Sequence, residues 1–266
     1  MRRLKGKDAH GISMNSQTKS ALIGDKKFYR HLLVIVVPIL IQNFITNFVN
    51  MLDNIMVGQV GTNPMSGVSI VNQLLFIFNL CIFGGTAGAG IYTAQFYGQQ
   101  NHDGIRYTFK FKLWIAVIID VIAISVLLLF GDQLIGLYLH SGEAAANASG
   151  GEEILKYAKQ YLTVMFFEMI PFSISQAYAS TLRESNDTVL PMKAGIVAII
   201  INLCLNYILI YGKLGFPTLG VVGAALATAI SRYVEAGIIV IYTHTHSVRH
   251  QFIKGAYRRN PIPDKL

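Results

Sequence analysis

The chain has 266 residues, of which 53% are hydrophobic and only 14% charged, with a net charge of +8 and a mean hydropathy of +0.47. Soluble domains carry roughly 25% charged residues. The shortage here is concentrated: no Asp, Glu, Lys or Arg occurs between Leu32 and Leu52, or between Asn54 and His102. This pattern excludes a soluble enzyme, a nucleic-acid binder and a disordered tail. It leaves an all-α polytopic membrane protein, because a bilayer core of about 30 Å needs roughly 20 apolar residues per helix.

In chain order, a polar, basic segment over 1–30 comes first, and the apolar run behind it is too long for a signal peptide and has no small-residue cleavage site. Six spans follow, at about 32–57, 66–97, 111–138, 157–181, 190–212 and 219–243. Together they form a transmembrane lobe over 31–243, with a basic tail over 244–266. The second span is over-long for one crossing, so tilt or a break near Gly84-Gly85 is expected. Its glycines Gly84, Gly85, Gly88 and Gly90 read as close helix packing through small residues. Cys81 and Cys204 sit in apolar runs and read as buried packing residues rather than a disulfide or zinc site.

The basic residues set the orientation. Eight precede or include Arg30, and five follow His244. Arg106, Lys110, Lys112, Arg183 and Lys193 lie in the second and fourth loops, on the same side. The other side holds Lys156, Lys159 and Lys213. Eighteen against three places both termini in the cytoplasm and accounts for the net positive charge without nucleic acid. Asn147-Ala-Ser149 fits a glycosylation sequon in an outward loop, a short pattern that is frequent by chance.

Polar groups inside spans are costly in hydrocarbon and therefore informative. Gln42, Asn43, Thr46, Asn47, Asn50, Asp53 and Asn54 share one arc of roughly 140° on the first span. This face is expected to line a water-accessible cavity. Asn202 and Asn206 share a face of the fifth span, as do Thr228, Ser231, Arg232 and Glu235 in the sixth. At 1.5 Å per residue, Asp53, Asn206 and Thr228 fall about 8, 9 and 12 Å from the outer ends of their spans. They therefore meet at similar depth. Arg232 and Glu235, at i, i+3, read as a structural ion pair. An Asp ringed by amide and hydroxyl oxygens suits a hard monovalent cation such as Na⁺, and the same carboxylate is able to carry a proton. Asp120 and Glu168 are also mid-span; a partner on another helix is expected for Asp120, and Glu168 stands near the distortion expected at Pro171. No HExxH, P-loop lysine or GxSxG signature is present, and no cofactor is implied.

The segments PILIQNFITNFVNMLDNIMVGQVG, AQFYGQ, LRESNDTVLPM and NLCLNYILIYGKLGFPTLGVVGAALATAISR resemble the multidrug and toxic compound extrusion (MATE) family. The resemblance covers about residues 25–255. It implies a secondary antiporter in the cell membrane that exports small drugs or metabolites in exchange for Na⁺ or H⁺. In prokaryotic members an Asp late in the first helix, two polar residues four apart in the fifth and a Thr in the sixth form a cation site. These match Asp53, Asn202, Asn206 and Thr228 here. Some members carry Asp where this chain has Asn206, which leaves one negative charge fewer. The family has twelve helices in two six-helix lobes with the substrate cavity between them. This chain is expected to be the N-terminal lobe, working with a second lobe or as a homodimer. A flippase for lipid-linked oligosaccharides, from the same superfamily, is the first alternative; it requires a more cationic cavity than the one in-span arginine, Arg232, provides. A non-transporting half-module that assembles with a second lobe is the other.

Overall fold

The computed structural model describes residues 25–141, 150–248 and 250–253, and not the side chains of residues 31, 35, 45, 46, 49, 50, 140, 141 and 251. The proposed sequon at Asn147 and most of both basic termini lie outside the described residues. Six helices follow one another: α1 (Lys26–Gly58), α2 (Thr62–Gly98), α3 (His102–Ser141), α4 (Gly151–Glu184), α5 (Val189–Tyr211) and α6 (Gly220–Thr245). A single 3-10 turn, Gln251–Ile253, closes the described chain. Among the described residues there is no strand.

The chain divides into two compact units at Pro38. Within the first, the described residues are the opening turns of α1. The helix continues through Pro38, which has no amide to donate to the Val34 carbonyl.

In the second unit α4 is the central helix, packed against α2, α3 and α6, while α5 and α6 form an antiparallel hairpin. Five of the six helices are long and apolar enough to cross a membrane. The exception is α4, and its position explains why. It buries Ser173, Ser175, Gln176, Ser180 and Thr181 against its neighbours, so these residues never need to face lipid. By contrast, α3 turns Trp114, Leu128, Leu129 and Phe130 outward, the apolar face that a bilayer requires.

Two glycine positions depart from expectation. α2 is one uninterrupted helix through Gly84 and Gly85, so the over-long span is not broken. Every amide in its middle has a partner one turn back, and nothing in the packing forces a distortion. A side chain on Gly85 or Gly90 would collide with Ile115 or Glu184, but one on Gly84 or Gly88 would meet nothing. Only half of the stripe is therefore used for packing here. Cys81 and Cys204 are exposed on the helix surface rather than buried, because an apolar thiol is equally at home against lipid.

The α5–α6 hairpin is drawn tight at Gly223, where a Cβ would lie 2.7 Å from the Leu209 carbonyl carbon and oxygen. This close approach sets the facing polar residues of α5 and α6 within hydrogen-bond range. At the other end, Phe109 of α3 stacks edge-on against Tyr178 of α4 (4.8 Å) and Phe252 (5.3 Å), holding the 3-10 turn against the bundle.

Candidate functional site

The polar residues placed at similar depth by the helix rise converge in space. Asn206 Nδ2 donates to Asp53 Oδ1 at 2.6 Å and to Asn202 Oδ1 at 3.1 Å. Asn202 Nδ2 donates to Thr228 Oγ1 at 3.3 Å, and Thr228 Oγ1 donates to the Ala224 carbonyl. With its amide turned over, Asn202 would instead donate to both Asp53 oxygens at 3.2 Å. Residues from α1, α5 and α6 thus form one cluster. Asn206 is 1% exposed, and its Oδ1 has no hydrogen-bond partner. A buried acceptor left unmade costs about 1–3 kcal/mol. Asp53 accepts only from amides and pairs with no cation among the described residues. Two carboxylate oxygens, two amide oxygens and a hydroxyl are a donor set for a hard cation.

Two cavities adjoin this cluster. The smaller, of ≈ 260 Å³, is walled in part by Asn72, Tyr161, Glu168 and Asn206. The larger, of ≈ 400 Å³, is walled in part by Gln42, Asn43, Asn47, Gln176, Arg183 and Asn202. Asp53, Phe76, Asn79, Thr228 and Arg232 border both. Three of the five amide or hydroxyl residues expected to line the cavity from α1, namely Gln42, Asn43 and Asn47, do so. The side chains of the other two, Thr46 and Asn50, lie outside the described residues.

Arg232 Nη1 bonds Glu235 Oε2 at 2.8 Å, the pair expected from i, i+3 spacing, and Arg232 Nε also meets Glu168 Oε1 of α4 at 3.3 Å. The guanidinium lies 5.5 Å from the Phe172 ring centre. Sequence reasoning missed Glu168 as the third member. The signal was available, since a carboxylate in hydrocarbon demands a partner and Arg232 is the basic residue placed inside a span. Asp120 of α3 accepts from Ser173 Oγ of α4 at 2.5 Å.

A second polar cluster was not legible at all. Lys112, counted above as a loop charge, is 0% exposed in its side chain and pairs with Glu184 of α4. Its Nζ also donates to Ser180 Oγ at 3.1 Å and Thr181 Oγ1 at 3.4 Å. Gly90 of α2 leaves the space that the Glu184 carboxylate occupies. No group of His, Cys, Asp and Glu able to hold a metal by itself occurs among the described residues.

A family model for MatE matches residues 38–208. The chain is 30% identical over 236 residues to "Probable multidrug resistance protein NorM" of Thermotoga maritima, covering 89% of this chain and 47% of the relative. It is 26% identical to "Probable multidrug resistance protein YoeA" of Bacillus subtilis, over 86% of this chain and 48% of the relative. A solved structure described as "MATE in the bent conformation" shares the fold at a TM-score of 0.68 and 23% identity, over 81% of this chain and 46% of that one. An outward-facing MATE family transporter of the MOP superfamily does so at 0.67 and 21%, over 81% and 45%. The chain therefore spans about half the length of the curated relatives it matches.

Proposed function

Because this chain belongs to the MatE family, we propose that it acts as one lobe of a cation-coupled antiporter that exports small organic compounds across a bacterial cell membrane. Alternating access requires one lobe to move against another around a shared site, so transport is assigned to this lobe together with a second one. Asp53, Asn202, Asn206 and Thr228 bind the coupling ion, Na⁺ or H⁺. The larger cavity, with Gln42, Asn43 and Asn47 on its wall, admits the exported compound. Both termini face the cytoplasm, as the distribution of Lys and Arg favours. The named multidrug resistance relatives support export of drug-like compounds.

One observation carries the ion site: the buried Asn206 Oδ1 without a partner, beside a carboxylate that has no ion-pair partner among the described residues. A bound cation satisfies both at once. Arg232 is bound directly by Glu168 and Glu235 and attracts Asp53 only from beyond ion-pair distance.

The test is thermal unfolding of the purified chain in dodecylmaltoside. NaCl should raise the melting temperature above that in choline chloride at equal ionic strength if Na⁺ is the ion. If the proton is the ion, only lowering the pH should do so. Asp53→Asn should abolish whichever response is found. A response that persists in Asp53→Asn, or no response to either ion, would remove the site.

A further inference from the structure

The wall of the larger cavity contains a cation that the ion-coupling reading does not use. Phe172, Ser175, Gln176, Ala179 and Arg183 of α4 line it at helical spacing, and Phe172 and Arg183 stand about 16 Å apart along the helix axis. The charges at the two ends differ in their state. At the Phe172 end, Arg232 is bound by two carboxylates and lies over the ring. At the other end, the guanidinium of Arg183 has one hydrogen-bond partner among the described residues, Gln176 Oε1, at 3.5 Å. No carboxylate among the described residues lies within ion-pair distance of it. The adjacent Glu184 pairs with Lys112 and Glu235 with Arg232, and both attract Arg183 only from beyond ion-pair distance.

A guanidinium presents five N–H donors in a planar fork, and this one uses a single long bond. The planar fork matches a carboxylate in two parallel hydrogen bonds. Phe76, Phe83 and Phe172 supply apolar wall for the body of a compound, and ≈ 400 Å³ falls in the size range of small-molecule sites. We propose that Arg183 is the anion-recognising group of this cavity, and that the cavity takes small aromatic compounds bearing a carboxylate. The inference rests on the reading of the larger cavity as the substrate site.

The test compares 2-naphthoate with 2-naphthamide, equal in size and neutral, by the change in their own fluorescence on binding to the purified full chain in dodecylmaltoside. The naphthoate should bind about tenfold tighter, the usual worth of a charge-assisted bond. Arg183→Gln should weaken naphthoate binding about tenfold and so bring the two ligands level. Arg183→Lys, which keeps the charge and loses the fork, should retain part of the preference. Equal binding of the two ligands to the native chain, or a preference surviving in Arg183→Gln, would overturn the role of Arg183 and leave the cavity reading standing. Binding of neither would overturn both. Displacement of naphthoate by inorganic pyrophosphate but not by benzoate, at equal ionic strength, would assign Arg183 to a phosphate-bearing ligand and also overturn the proposal.

Discussion

Replacing Lys112 with methionine tests whether the buried cluster between α3 and α4 stabilises the bundle. Lys112 is fully enclosed, and its ammonium meets Glu184, Ser180 and Thr181. Methionine keeps the apolar stem and removes only the charge and donors. Glu184 is then left facing Gly90 and the Thr93 hydroxyl, with its ion-pair partner gone. Removing one partner of a buried ion pair costs about 3–5 kcal/mol. Glu184 retains 18% of its side-chain exposure, so water recovers part of this loss and the expected cost is about 3 kcal/mol, at the low end of that range. Lys112→Met combined with Glu184→Gln removes the stranded charge as well and should recover more than half of that loss. Unfolding in mixed SDS–dodecylmaltoside micelles gives both free energies. A single variant within about 0.5 kcal/mol of the native chain, the ordinary range for a surface substitution, would refute the reasoning. So would a double variant no more stable than the single.

Arg232→Gln strands two carboxylates, whereas Glu235→Gln leaves Arg232 paired with Glu168; the first should therefore cost more stability than the second by about 2 kcal/mol, read in the same micelles. Gly223→Ala should destabilise by about 1–3 kcal/mol, because its methyl group lands against the Leu209 backbone. It should also weaken the ion response by parting Asn202 from Thr228, and an unchanged response would detach the hairpin from the site. Cysteines introduced at Asn101 and Gly151, in a background lacking Cys81 and Cys204, should react oppositely with an impermeant thiol reagent applied outside whole cells. Labelling at Asn101 but not at Gly151 would invert the proposed orientation.

Sequence alone determined the helices and the depth of their polar residues. Charge-free runs of twenty or more residues have one stable form in hydrocarbon, because every backbone amide must be satisfied within its own helix. A constant rise per residue then places Asp53, Asn206 and Thr228 at one level before any packing is known. Rotation about each helix axis and the identity of its neighbours were decided only by tertiary structure. α4 fails as an apolar span because its serines, Gln176 and Thr181 face other helices, which no hydropathy scale records. Lys112 looks like a loop charge that sets topology, yet its side chain is sealed against α4. Gly90 matters because the Glu184 carboxylate lies over it, whereas Gly84 and Gly88, equally suggestive in sequence, face open space. Periodicity reports which residues share a face. What that face meets depends on contacts between segments far apart in the chain, and those exist only once the helices have packed.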